Sequence, residues 1–271
     1  MNYQYQLSLF DKKFDQLKAD EGKIKMLFWN IQNPSYERAK KQLEWIYNLN
    51  MDVIILTEVK LSKGFYYLKI KLEQLGYKMV FDESEEYFTV IALRKIKFIK
   101  KEISISVKPQ RVVMIEMDTF LGKIKLIGVY IPTNSIEIDK IKIKNEFQGS
   151  LLEGVRELMN DSMNGGELII GGDLNILEPG HKPSYPQFNR WNYFYESLIK
   201  LKLNDPFRVL NPLVTEYTWN QRNKPQRLDY IFVTNKIMKY VEECAYIHKP
   251  RNQKLSDHSA QLLVLANKNK L

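Results

Sequence analysis

Residues 77–130 read YKMVFDESEEYFTVIALRKIKFIKKEISISVKPQRVVMIEMDTFLGKIKLIGVY, and their pattern decides the fold class. Runs rich in β-branched and aromatic residues succeed one another with brief connections: Tyr77 to Phe81, Tyr87 to Leu93, Phe98 to Val107, Val112 to Met117 and Ile124 to Tyr130. This succession predicts antiparallel meanders. The flanks have a different rhythm. Upstream, a strand over Ile24 to Ile31, an amphipathic helix over Tyr36 to Leu49 and a buried strand over Val53 to Thr57 alternate in the α/β manner. Downstream, Ile138, Ile141, Leu151, Leu152, Val155, Leu158 and Met159 mark the apolar stripe of a long helix from about Ser135 to Met163, ended by Gly165-Gly166. A buried strand at Leu168 to Ile170, a helix over Phe188 to Lys202, and strands at Leu228 to Val233, Val241 to Ile247 and Ser259 to Leu265 complete the reading. A purely parallel doubly wound sheet does not accommodate the meanders. The expected fold is α/β, with two mixed β-sheets packed face to face as a sandwich and helices on both outer faces.

No Gly/Ser linker, repeat or low-complexity block divides the chain, so one domain is expected over residues 23–271. A polar extension over residues 1–22 precedes it, with Leu7, Leu9, Phe10, Phe14 and Leu17 at mixed spacing. Across 271 residues, 44% hydrophobic and 12% aromatic side chains supply a substantial core. Apolar runs such as Val53 to Leu56 fall far short of the roughly 20 residues a membrane span needs. A cytoplasmic monomer without signal peptide or membrane segment is the expectation. The single cysteine, Cys244, excludes an intramolecular disulfide and a multi-cysteine zinc site, and reads as a small buried strand residue. A formal charge of +9 favours a polyanionic partner. Because Lys, Ile and Asn abundance also tracks genomic base composition, charge supports that partner without carrying it.

Polar residues stand where apolar runs end: Asn30 in LFWNIQN, Glu58 in VIILTEVK, Tyr130 in IGVYIPTN, Asp173 and Asn175 in LIIGGDLNI, Asp229 in RLDYIFVT, and Asp257 with His258 in LSDHSAQL. Strand ends hold side chains rigidly while facing a loop-lined cleft, which suits catalysis. Each residue alone has a plain structural explanation. Asn30 is a helix cap, Glu58 a solvated rim, Asp173 with Asn175 an Asx turn, Asp257 the cap of a short turn, His258 a satisfied core residue. Acids, amides and one histidine recurring at strand ends along the whole chain outweigh those separate explanations.

The ordered series WN, TE, YIP, GDLN, RLDY and SDH resembles the endonuclease/exonuclease/phosphatase superfamily over roughly Ile24 to Leu265. That resemblance implies the DNase I-like four-layer fold and direct in-line attack of water on a phosphodiester, assisted by Mg2+, with Mn2+ as a substitute. It implies Glu58 as the main metal ligand, with Asn30 beside it and Asp257 as a second contributor. By the same resemblance Asp173 is expected to orient or deprotonate the attacking water, helped by the amide of Asn175. The resemblance further implies that His258 stabilises charge on the phosphate, that Asp229 orients that imidazole and that Tyr130 adds a hydroxyl. Ser256 and Cys244 are not nucleophiles in this scheme.

The segments LNDPFRVLNP, EYTWN and RLDYIFV resemble the exonuclease III branch, which favours a nucleic acid, DNA above others, as substrate. There an aromatic after YT helps line the pocket for an extruded nucleotide, so Trp219 is either a substrate contact or a buried anchor. Gln226 stands where abasic-site enzymes of that branch carry an apolar or aromatic residue, and ILEPGHKPSYPQFNRW follows GDLN in place of their usual loop. Abasic-site specificity is therefore not implied. This loop brings His181, Lys182, Tyr185 and Arg190 to the expected cleft. Further basic residues placed to guide a polyanion are Lys60, Lys63, Arg111, Arg222, Lys224, Arg227, Lys249, Arg251 and Lys254, with Arg227 equally suited to a structural ion pair. Lys140, Lys142 and Lys144 on the long helix read as a solvated face. Two other functions compete with a DNA nuclease: a phosphatase or phosphodiesterase for a small ester or lipid headgroup, and a noncatalytic nucleic-acid-binding protein.

Overall fold

Alternation along strand β1 (Lys23–Asn30) sends Met26 and Phe28 to one face and Leu27 and Trp29 to the other, and both faces are buried. A strand apolar on both sides needs a layer on each. The structure, a computed structural model, describes residues 22–161, 166–221 and 223–267. The N-terminal extension through residue 21, Met163 and Arg222 lie outside the described residues.

In chain order the elements are β1, α1 (Tyr36–Leu49), β2 (Val53–Val59), α2 (Lys63–Gln74), β3 (Lys78–Val80), β4 (Phe88–Leu93), β5 (Phe98–Lys101), β6 (Val112–Thr119), β7 (Gly122–Tyr130), α3 (Ile138–Asp161) and β8 (Glu167–Asp173). They continue with α4 (Asn192–Lys200), β9 (Leu203–Asn204), α5 (Pro206–Leu210), β10 (Trp219–Gln221), β11 (Lys224–Gln226), β12 (Asp229–Thr234), α6 (Asn235–Met238), β13 (Val241–Ile247), α7 (Lys249–Asn252) and β14 (Ala260–Ala266). One sheet runs β13-β14-β1-β2-β4-β3, the other β5-β6-β7-β8-β12-β9, and β10-β11 form a separate hairpin. Only β1-β2 and β7-β8 pair in parallel; the other pairings are antiparallel. No described helix is long and apolar enough to cross a membrane.

Three cores follow from this layering. Between the sheets lie Met26, Phe28, Ile55, Ile91, Ile115, Leu126, Ile169 and Ile231. Leu43, Ile46, Phe65, Leu68 and Leu72 of α1 and α2 cover Leu27, Ile54 and Leu56 on one outer face. Phe147, Leu151 and Val155 of α3 cover Ile127, Ile170 and Phe232 on the other. Each such side chain contributes about 1.5–3 kcal/mol by leaving water. Helix α1 starts where Ser35 Oγ accepts from Arg38 N and stops where Asn50 turns left-handed at φ 51°.

The expected sandwich is present, with differences at element ends. Helix α2 went unread although Ser62 caps it, its Oγ accepting from Phe65 N, and Phe65, Leu68 and Leu72 line one face. The strand expected through Val107 stops at Lys101, because Ile103 and Ile105 turn away to pack under α3. The helix expected from Phe188 begins as a tight 3-10 turn, Pro186–Trp191, and becomes α-helical only at Asn192.

Gly172 shows how closely the second sheet is built. Its φ is +140°, and a Cβ there would stand 2.1 Å from the Val129 carbonyl oxygen of the neighbouring strand. Backbone cannot yield as a side chain tip does. Gly172→Ala is expected to cost about 3 kcal/mol or more, read as a lower urea midpoint; an unchanged midpoint would refute the close approach.

Candidate active site

The polar strand ends converge at one end of the sandwich. Tyr130 is the last residue of β7 and pairs in register with Asp173, the last of β8, which pairs with Asp229, the first of β12. Asn30 ends β1 beside Thr57 of β2. Glu58 follows in a bulge between Leu56 and Val59, with φ 56°, a left-handed conformation that a non-glycine residue adopts at a cost. The bulge re-aims the carboxylate out of the sheet and toward the pocket.

Asn30 binds the set together. Its buried Nδ2 donates to Glu58 Oε2 at 2.9 Å and to Asp173 Oδ2 at 2.8 Å, while its Oδ1 accepts from Gln32 N at 2.9 Å. Tyr130 OH stands 3.4 Å from Glu58 Oε2. His258 Nδ1 donates to Asp229 Oδ2 at 2.8 Å, and its Nε2 lies 3.9 Å from Asp173 Oδ2. Asp173 closes an Asx turn, its Oδ1 accepting from Asn175 N at 3.0 Å, with Asn175 left-handed at φ 49°. The turn that explains Asp173 structurally is thus also what aims its second oxygen at Asn30 and His258.

Two residues outside the expected set hold this geometry. Ser256 Oγ donates to Asn30 O at 2.6 Å and accepts from His258 N at 3.1 Å, a backbone-fixing role incompatible with nucleophilic attack. Thr218 Oγ1 accepts from Leu228 N and Asp229 N, and Thr218 O accepts from Ser259 N. Both stand inside quoted motifs, SDH and YTW, which was the available signal. Cys244 is buried, and burial pushes its thiol up to about 12, so it is inert.

Electrostatics distinguish the pocket. Burial raises the Glu58 and Asp173 carboxyls above their ordinary values. Burial alone would lower His258, but the carboxylates of Asp229 and Asp173 overcome it and push it up to about 10. Ligand atoms of Asp173, Asp229 and His258 lie within 4.8 Å of one another, a cluster able to hold a divalent cation. On the other flank Asp257 takes Trp219 Nε1 and Gln221 Nε2 on Oδ2 at 3.0 and 2.8 Å, while its Oδ1 is sealed from solvent with no hydrogen-bond partner among the described residues. Carboxylate oxygens such as the orphaned Asp257 Oδ1 and those of the partly buried Glu58 are of the hard donor type that magnesium prefers.

The basic residues sort differently from expectation. Arg111 is buried, its guanidinium lies 4.5 Å from the Tyr130 ring centroid, and its Nε has no hydrogen-bond partner among the described residues. Arg227 is not a substrate contact. It is 0% exposed, donates from Nη2 to both Asp205 oxygens, from Nη1 to Glu178 and from Nε to Tyr246, and lies among the rings of Phe207, Tyr230 and Tyr246. His181 holds its own loop, with Nε2 accepting from Arg227 N and Nδ1 beside Pro183 O. Trp219 anchors Asp257 and also walls a cavity of about 380 Å³ with Gln187, Phe188, Gln221, Lys224 and Gln226. Lys144 is not on a solvated face; it is fully buried behind Asn175.

The chain is similar to proteins already known. The model of the Endonuclease/Exonuclease/phosphatase family matches residues 27–258. Tyrosyl-DNA phosphodiesterase 2 of Xenopus laevis is 25% identical over 165 residues, 59% of this chain and 43% of that protein, so the match spans less than half of that relative. A DNA-(apurinic or apyrimidinic site) endonuclease of Dictyostelium discoideum is 24% identical over 263 residues, 86% of this chain and 68% of that protein. A 3'-5' exonuclease from Neisseria meningitidis superposes with a TM-score of 0.70 at 20% identity, covering 90% of this chain and all of that one.

The raised His258 value sets a pH signature. Its folded value exceeds the unfolded value of about 6.5, so its stabilisation is complete below that pH and is lost as pH rises through about 10. In chelator, the stability difference between wild type and His258→Gln should therefore narrow steadily from pH 6 to pH 10 in denaturant titrations. A constant gap would show that the imidazole is not held charged by its two acids.

Proposed function

The chain belongs to the endonuclease/exonuclease/phosphatase family, and from that membership we propose that it is a magnesium-dependent phosphodiester hydrolase acting on DNA. The observation that carries the reading is the buried chain Asp229–His258–Asp173 tied through Asn30 to Glu58. It sets a charged imidazole and a carboxylate 3.9 Å apart, so that a phosphate oxygen and a water are handled by different groups.

Glu58 holds the magnesium ion, with Asp257 and the free lone pair of Asn30 Oδ1 beside it; Mn2+ suits the same donors. Bound there, the ion supplies Lewis-acid neutralisation of phosphate charge. Asp173 takes the proton of the attacking water, a task that suits a carboxyl whose pKa burial has raised. Asn175 keeps Asp173 oriented through its backbone amide. His258 donates from Nε2 to a non-bridging oxygen as charge builds, and Asp229 fixes the ring so that Nε2 faces the pocket. Tyr130 and Arg111 donate to the same phosphate, and the cavity beyond Trp219 receives the neighbouring nucleotide. A net charge of +9 favours a long polyanion over a small ester, and both curated relatives described above carry DNA in their names.

The test is a panel of duplex, single-stranded and abasic DNA, RNA and small phosphate esters, each with magnesium and with chelator. Expected is magnesium-dependent DNA cleavage that weakens steeply with salt, with kcat lowered by about 10²–10⁴ in Asp173→Asn and His258→Gln. Turnover of small esters alone would remove DNA from the proposal. Absence of any hydrolysis with magnesium or manganese would end it.

A further inference from the structure

Lys144 occupies the apolar face of α3, in line with Phe147, Gln148, Leu151 and Val155, and none of its side chain reaches solvent. A buried ammonium is costly unless its donors are met. Here all three directions are filled. Nζ donates to Asn134 Oδ1 at 2.6 Å and to the Asn175 carbonyl at 2.5 Å, and it stands 4.5 Å from the centroid of the buried Trp191 ring. No carboxylate hydrogen-bonds it among the described residues; burial pushes it well below the ordinary lysine range, and Asp173 opposes that shift through space. A core-filling role would be better served by an apolar side chain of similar length.

Its partners belong to two segments that must stay in register at the pocket. One leaves β7 after Tyr130, the other leaves β8 after Asp173. They are laced by Ile131 N to Asp173 O at 3.0 Å and by Asn175 Nδ2 to Ile131 O at 3.0 Å. Asn175 also points its N–H at Asp173 Oδ1 and is itself left-handed at φ 49°. Lys144 grips the far side of that same residue, at its carbonyl.

We propose that Lys144 is a positioning residue for the hydrolytic reaction, clamping the Asn134 and Asn175 segments so that the Asn175 amide keeps Asp173 aimed at the attacking water. The inference rests on the role of Asp173 proposed above. It concerns a side chain on a helix that contributes no group to the pocket itself. Loss of the clamp leaves substrate binding alone and loosens the base.

Lys144→Met keeps length and volume but removes the donors, and Asn134→Ala is a milder cut that leaves the lysine in place. Expected for Lys144→Met is a fall in kcat of about 10–100-fold with KM within about twofold, and a smaller fall of the same kind for Asn134→Ala. In the metal-free protein, hydrogen exchange at the Asn175 amide should accelerate about tenfold or more while Ile169 and Ile170 in β8 keep their rates. A kcat loss no larger than in a variant of equal thermal midpoint, such as Ile170→Val, or exchange accelerated uniformly along β8, would reduce Lys144 to a packing residue and overturn the inference. Because exchange is read without substrate, a wild-type protein that hydrolyses nothing would sink the functional reading while the exchange rates still decide the clamp.

Discussion

One amide holds two sheets' worth of acid together. Asn30 reaches from β1 in the first sheet to Glu58 beside it and across to Asp173 in the second, giving one hydrogen to each carboxylate. A buried and a half-buried carboxylate side by side repel, and a neutral donor with two hydrogens can bridge them without adding charge. Ser256 fastens Asn30 from behind and the His258 backbone at the same time. The pocket is therefore a consequence of how the sandwich closes at one end, and whatever misaligns the sheets misaligns the acids.

The molecule treats its buried charges in two ways. Arg227, Asp205, Glu178 and Arg208 form a closed network in which the guanidinium of Arg227 has carboxylate, phenol and ring partners, and this network ties α5 and the loop after β8 to β12 and β13. The pocket is left incomplete by comparison. Among the described residues Asp257 keeps an oxygen without a partner and Arg111 a sealed Nε without one, and Glu58 and Asn175 hold left-handed backbone. Unmet polar atoms and left-handed residues also occur elsewhere, but here an unmet carboxylate oxygen stands beside the converging acids, where a ligand can complete it. Lys144 lies between these regimes, its ammonium met by Asn134, the Asn175 carbonyl and the Trp191 ring.

Much of this was legible in the chain. Periodicity located the sandwich strands and α1, because strands buried on both faces and a helix with one apolar stripe leave strong patterns. It missed α2, whose apolar positions are few and whose start is marked only by Ser62. The pocket residues Asn30, Glu58, Tyr130, Asp173, Asp229 and His258 were visible as polar punctuation at the ends of apolar runs. What escaped were contacts set by partners remote in sequence. Arg227 looked like a basic residue beside a catalytic acid, and only folding brings Asp205 and Glu178 around it. Lys144 looked exposed because it is charged, although its spacing from Ile141, Phe147 and Leu151 places it on the buried stripe. Type outweighed period in that reading, and period was the better guide.

We propose that Glu58, Asn30 and Asp257 form the cation site, while Asp173, Asp229 and His258 remain a proton-handling chain. The most direct test is an anomalous difference map from crystals grown with Mn2+. The account predicts one peak against the Glu58 carboxylate, with His258 still hydrogen-bonded to Asp229. A peak seated instead on the imidazole between Asp173 and Asp229, or none at Glu58, would contradict it.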